Sequence, residues 1–528
     1  MSLTGNCRNG IRNLFAVSLL FGLVAVLEGQ HDKKSSSPPP RPAPVQHTSA
    51  PPRNTNTRPT TPTHTNTPNT HPTNTRPTTS TGNRTMGTPG NRMPGNTNAH
   101  NSTMHGPMGN GGPARVNTRP TGVNRPLPGR QVSLRGGGSA TLRPNGQVRS
   151  IQRNGMQINR GLNGSRTVVS MHNGARVVTT GRNRGYVQRA YVTRGGRTYV
   201  SRTVVVNHVV YTRVYRSYAW GGYCCYYAYH PAFFWRPAYY GWAYNPWPAP
   251  VYWGWGWGGA PWYGFYGGYF APYPVYPSAA FWLTDYLISA ELQAAYQARA
   301  ANAAAAAGDN GAGDQQTAQN DGGDQSGNNS GGAVALTPEV KQAIADEVKA
   351  QIAQQQAQAQ QGSSGDQQAS ANNAAPAEQV PAALDPNIRM FIVSSDLTVS
   401  SNGQECQLTQ GDVIKRTSES PDDDRKVAAT VASSKKSDCA AGQEIAVGID
   451  DLQEMHNHFE EQLDTGMKEL SSKQGTGGLP KAPDASTTAS DVPPPPPDNN
   501  AAKTLEDQQA AADQTESQVV KEAFNQGS

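Results

Sequence analysis

Metal ligation and side-chain catalysis need particular residues at particular spacings, and this chain offers few. His456-Asn457-His458 is the best candidate metal pair. Two histidines at i and i+2 point to different faces of a helix, so they do not share one ion; the pair reads as polar helix surface. Asp422-Asp423-Asp424 lacks the later bidentate Glu of a calcium loop and reads as a solvated turn. There is no Gly-rich phosphate loop with its Lys, no G-x-S-x-G elbow and no H-E-x-x-H. The sequence therefore predicts a chain without catalytic residues, metal or cofactor.

Cysteines and arginines carry the remaining chemistry. Cys406 and Cys439 fall beside short β-prone runs, and in an exported chain they predict a disulfide closing a loop of about 33 residues. Cys224-Cys225 are adjacent, a strained geometry for mutual pairing, and predict intermolecular pairing or free thiols. Residues 1–300 hold 31 basic and 4 acidic side chains, a net of +27, whereas residues 301–528 carry −20. No Lys occurs between Lys34 and Lys341. Arg stacks on aromatic rings and grips anions in a bidentate fork. Arg135-Gly136-Gly137 and Arg194-Gly195-Gly196 match the RGG pattern of nucleic-acid binders. Arg176, Arg194, Arg197 and Tyr199, with Trp253, Trp255 and Trp257 of a W-G-W-G-W run, are the candidate binding residues. Such a surface suits an anionic polymer: cell wall, polysaccharide or extracellular DNA.

The elements that must position these residues are uneven along the chain. Residues 1–29 read as a signal peptide, with Arg8 and Arg12 ahead of an apolar run too short to span a membrane; an uncleaved anchor is the alternative. No later integral membrane span is expected. Residues 30–130 are a Pro/Thr/Asn/Arg linker, expected to be disordered. In 131–216, Asn-Gly turns at 145, 154, 163 and 173 separate β-prone runs, predicting hairpin repeats with arginines facing outward. Residues 217–300 hold most of the aromatic residues among repeated prolines and end in a helix from Trp282 to Arg299, with Leu283, Leu287, Ile288 and Leu292 on one stripe. The aromatics either pack on the hairpins or mediate self-association.

Residues 301–386 read as a low-complexity linker containing a helix over 337–360, its stripe formed by Val340, Ile344, Val348 and Ile352. Short strands and turns in 387–472 predict a small all-β domain closed by a helix from Asp450 to Leu470; 473–528 is expected to be a disordered tail. Leu408-Thr409-Gln410-Gly411-Asp412-Val413-Ile414 resembles the L-x-x-G-D-x-v turn of bacterial SH3-like domains. With the aromatic middle, including Gly241-Trp242-Ala243-Tyr244-Asn245-Pro246-Trp247, the arrangement is similar to a group of exported bacterial proteins. That resemblance implies an architecture and no activity.

The expected fold is mostly disordered, with an SH3-like barrel and trailing helix near the C-terminus, a hairpin-rich segment and isolated helices. The expected function is that of an exported, non-enzymatic protein of the periplasm, envelope or extracellular matrix, acting by multivalent self-association or surface adhesion. The alternative is a cell-wall or peptide-binding module on a long tether.

Overall fold

The computed structural model describes residues 127–181, 184–308, 334–364, 379–435 and 439–525. The signal segment, nearly all of the linker 30–130, Arg182 and residues 309–333 lie outside the described residues.

Ten strands form one antiparallel sheet in chain order. The first five are β1 (Arg130–Ser133), β2 (Ser139–Leu142), β3 (Val148–Arg153), β4 (Met156–Arg160) and β5 (Arg166–His172). The others are β6 (Ala175–Gly181), β7 (Arg184–Arg194), β8 (Arg197–Val206), β9 (Val209–Trp220) and β10 (Tyr223–His230). Asn154-Gly155 and Asn173-Gly174 carry two consecutive positive φ angles each, the twist that joins adjacent strands. Asn207-His208 does the same between β8 and β9 without a glycine.

Side chains alternate across this sheet. One face presents Ile151, Ile158, Val168, Val177, Val187 and Val205, all buried. The other presents Arg176, Tyr186, Gln188, Arg202, Tyr211 and Tyr215. Gln188, Arg202 and Arg213 stand in register across β7, β8 and β9.

The aromatic segment folds into a helical core. After β11 (Phe233–Trp235) come two short helices, α1 (Pro237–Tyr244) and α2 (Pro261–Tyr266), each with proline in its first turn, where the missing N–H costs nothing. Three long helices follow: α3 (Ala279–Gly308), α4 (Pro338–Ser364) and α5 (Ile449–Lys473). Trp282, Tyr239, Tyr240, Phe270 and Tyr276 are buried among Leu283 and Leu287 of α3, Ile344, Val348 and Ile352 of α4, and Phe459, Leu463 and Met467 of α5. Burial of each large ring contributes roughly 3 kcal/mol before entropy. Lys341 meets the buried Asp285 at 2.8 Å and pins α4 to α3. Gly466 lets α5 approach α3: a Cβ there would lie 2.8 Å from Tyr286 and 2.9 Å from Leu283.

A second antiparallel sheet contains β12 (Met390–Ile392), β13 (Leu397–Ser401), β14 (Gln404–Leu408), β15 (Val413–Arg416), β16 (Lys426–Ser433) and β17 (Glu444–Gly448). Its order is β12-β15-β16-β17-β13-β14. Cys406 and Cys439 are disulfide-bonded within its core. Finally, β18 (Thr487–Ala489) pairs with β11, and α6 (Ala501–Asn525) lies on the large sheet.

This architecture overturns the expectation of a mostly disordered chain with one small SH3-like barrel. The hairpin series does not end at residue 216; it continues through β10 as one ten-stranded sheet in chain order. The helices are not isolated, because their apolar stripes share the aromatic core. The tail 473–528 is not disordered, since β18 and α6 lie within it. Its helix was masked by low hydrophobicity: Ala501, Leu505, Ala512 and Val519 make a narrow stripe that only a ready-made apolar sheet can bury.

Candidate ligand-binding cleft

The second face of the large sheet meets α5 through Arg202–Glu454 and Tyr215–Glu461 but does not close onto it along its whole length. Between them lies a cleft of about 1720 Å³, lined from the sheet by Arg176, Arg184, Tyr186, Gln188, Arg202, Tyr211, Tyr215 and Tyr227, and from α5 by Glu454, His458 and Glu461. The α5 residues recur at i, i+4 and i+7, one polar stripe on a helix whose other sides pack on both cores. Most small-molecule pockets hold ~300–1,000 Å³, so this space suits an extended ligand.

Arg202 organises the floor. Its Nη1 and Nη2 donate to Glu454 at 2.6 and 2.7 Å, and its Nε donates to Gln188 Oε1 at 2.6 Å. The guanidinium carbon lies 3.9 Å from the Tyr215 ring centroid, 4.5 Å from Tyr186 and 5.3 Å from Tyr227. Burial alone would raise the Glu454 carboxyl, but the Arg202 charge and hydrogen bonds outweigh it and hold that group below its ordinary value. Tyr215 donates its hydroxyl to Glu461. Burial, then the Glu461 charge, pushes that phenol well above its usual range.

At the α3 edge, His458 Nε2 is 2.7 Å from Glu291, whose other oxygen accepts from Gln410. Burial would lower His458, but Glu291's charge and hydrogen bond prevail and carry it to about 9. Two cations of the floor differ from Arg202. Among the described residues, neither Arg176 nor Arg184 forms an ion pair: Arg176 donates to the Tyr186 hydroxyl at 2.8 Å, and Arg184 to Gln410 at 3.3 Å. Burial lowers Arg184 below its ordinary value despite nearby Glu291 and Asp396.

The sequence-predicted residues do not form one site. Arg176 lines the cleft. Arg194 and Arg197 are exposed at the β7–β8 hairpin, where Arg194 donates to the Asp491 carbonyl. Gly195 and Gly196 between them both have positive φ; the RGG triplet supplies the turn that a side chain would strain. Tyr199 is buried with Val214 and Val492, its ring 5.1 Å from His230. Trp255 stacks on Trp257 at 4.4 Å and on Trp282 at 4.7 Å, with Trp253 edge-on at 6.2 Å, so this run is packed on the helical core.

The histidines diverge as i, i+2 spacing requires, but they are not free polar surface. His458 enters the cleft, and His456 is buried beside Glu460 at 3.6 Å, because elements pack around α5 on several sides. Cys225 is held in a disulfide, which excludes a free thiol there. Among the described residues, no group of three His, Cys, Asp or Glu is placed to hold a metal, and no helix is long and apolar enough to cross a membrane. Sequence reasoning missed Arg202, Tyr186, Tyr215, Tyr227 and Glu454. Of these, Glu454 alone carried a signal, as the first member of the polar i, i+4, i+7 stripe of α5. No family model, curated protein or solved structure matches the chain.

Proposed function

We propose that this chain is an exported, non-enzymatic binding protein of the envelope or extracellular space, and that its cleft holds a segment of an acidic glycan. The observation that carries this reading is the pairing of Arg176 and Arg184, which form no ion pair among the described residues, with the tyrosine faces of a cleft larger than most small-molecule pockets. Sugar rings stack on tyrosine, and glycan carboxylates or phosphates accept from arginine forks. The arginines already matched by acidic residues add little to such affinity, because a ligand would first have to displace their partners.

The test is titration calorimetry of the full chain with an acidic polysaccharide, a neutral polysaccharide of similar length and a single-stranded DNA oligonucleotide. The reading predicts binding of the acidic glycan, at least tenfold weakened in Arg176→Gln/Arg184→Gln, the equivalent of ~1.4 kcal/mol. Equal affinity of that variant, or no binding of the acidic glycan, overturns it. Preference for the oligonucleotide assigns the cleft to nucleic acid instead.

A further inference from the structure

The arginines that flank the β7–β8 turn stand apart from the cleft floor. Gly195 and Gly196 supply the positive φ angles of that turn, which sets Arg194 directly opposite Arg197. On the next strand Arg216 is opposite Tyr199, so it is the diagonal neighbour of Arg197. Residues opposed in an antiparallel ladder point to one face, with Cβ atoms ~5 Å apart and diagonal ones ~7–8 Å. Strands β7, β8 and β9 therefore present three guanidinium groups side by side. Side chains alternate along β8 and β9, so this face is the reverse of the one that carries Arg202 and Tyr215.

Like charges opposed in this way destabilise a sheet. Elsewhere the fold answers such arginines with carboxylates: Arg189 meets Asp498, and Arg202 meets Glu454. Among the described residues, none of Arg194, Arg197 and Arg216 forms an ion pair. Arg194 donates to the Asp491 carbonyl, Arg216 donates to Gln379 Oε1, and Arg197 lies against the Tyr199 hydroxyl. The carboxylate of Asp491, which also bears on Tyr199, is 3.1 Å from His230. Burial, then the Arg197 charge, lowers Arg216 below its ordinary value. The cluster thus carries a cost that a bound anion would remove. Arg194 and Arg197 are exposed and Arg216 is half-buried, so the three are open to a ligand.

We infer that Arg194, Arg197 and Arg216 hold a phosphate dianion, free or as a monoester. The choice of anion follows from charge and shape. A planar carboxylate brings one charge and two oxygens, which a single guanidinium fork satisfies. A phosphate monoester brings a charge of about −1.5 to −2 and three acceptor oxygens, so it can accept from three arginines together. Tyr199, buried with Val214 and Val492, gives the site a fixed floor. Two sources share this chemistry: inorganic phosphate and the headgroup of phosphatidic acid.

The test uses the full chain in two arms, calorimetric titration with inorganic phosphate and flotation with phosphatidylcholine vesicles containing phosphatidic acid. Vesicles of phosphatidylglycerol, a phosphodiester, matched in surface charge, are the comparison. Saturable binding of inorganic phosphate, weakened roughly tenfold or more in Arg197→Gln and in Arg216→Gln, supports the site and assigns it to free phosphate. Binding to phosphatidic acid alone, with the same losses, supports it and assigns it to the headgroup. Arg189→Gln removes a paired arginine from the same face and should leave either affinity unchanged.

Arg197→Gln also relieves a like-charge contact, so its urea midpoint should equal or exceed that of wild type, which separates lost binding from lost folding. A lower midpoint contradicts the crowding on which the inference rests. No binding in either arm, equal binding of phosphatidylglycerol, equal affinity of the Arg197 and Arg216 variants, or an equal loss in Arg189→Gln overturns it.

Discussion

Replacing Glu454 with Gln should destabilise the protein more than removing the arginine it binds. Arg202 is 2% exposed and cannot recover hydration, whereas Glu454 is 39% exposed and can turn to water. Breaking a buried ion pair costs roughly 3–5 kcal/mol when one charge is left behind. Exposure of Glu454 screens part of that loss, and the faces of Tyr215 and Tyr186 keep holding the guanidinium, worth up to roughly 2 kcal/mol for a desolvated cation. Glu454→Gln should therefore cost about 2–3 kcal/mol. Arg202→Met leaves a carboxylate that hydrates and a thioether that suits the tyrosine cage, for a loss of about 1–2 kcal/mol. The double variant buries no orphan charge and should be more stable than Glu454→Gln alone. Urea unfolding followed by circular dichroism, with constant slope, gives the free energies. If Glu454→Gln falls within about 0.5 kcal/mol of wild type, or Arg202→Met fails to rescue it, this account of the cleft floor is wrong.

The other expectations concern the scaffold. The Cys406–Cys439 bridge spans 33 residues, so reduction should cost about 3–4 kcal/mol by the chain-entropy relation; an unchanged urea midpoint with reductant would contradict it. Gly466→Ala gains up to roughly 1 kcal/mol of helix propensity but forces Tyr286 and Leu283 aside, a strain of roughly 1–3 kcal/mol. A net loss of thermal stability is expected, and a gain would show that α3 and α5 can separate at no cost. Burial, then the charges of Glu461 and Glu347, raises Glu460 from 4.5 to about 8. The folded state thus holds that proton more tightly, and its contribution is present below pH 4.5 and lost as pH rises through 8. His458, raised to about 9, acts in the same direction; His456, lowered by burial to about 4, opposes it only as pH falls below 6.5. Between pH 5 and 6.5 Glu460 and His456 offset each other, so stability should decline from pH 6.5 to 8, and Glu460→Gln should make that slope shallower in pH-resolved urea titrations.

Local signals were legible where they concerned turns, helix stripes and the cysteine pair. Asn154-Gly155 and Asn173-Gly174 announced hairpins, and Val340, Ile344, Val348 and Ile352 announced a helix that buries the last three and half-buries Val340. Composition misled where it was averaged. A segment of Trp, Tyr, Gly and Pro has no periodicity, yet Trp255, Trp257 and Trp282 stack into a core because α3 supplies the periodic partner. Glycines beside Arg194 looked like a binding motif and are a turn. The cleft was hidden for a different reason. Arg202 and Glu454 are 252 positions apart, and their pairing depends on a sheet register and a helix placement that local patterns do not encode.

The charge asymmetry illustrates the same point energetically. A basic first half and an acidic second half suggest two surfaces seeking other molecules. Within the fold, acidic residues of the second half instead meet arginines of the first: Glu405 with Arg143 and Arg149, Glu454 with Arg202, Glu516 with Arg160, and Glu522 with Arg153. These pairs link residues hundreds of positions apart, so they form only after the sheet exists and cannot guide its first hairpins. They act as a check on assembly. A helix that seats correctly satisfies several arginines together, while a misplaced one leaves partly buried guanidinium groups unpaired, a penalty larger than the modest gain of each exposed pair. Binding capacity is therefore to be sought at Arg176 and Arg184, which form no ion pair among the described residues, rather than in the total charge of either half.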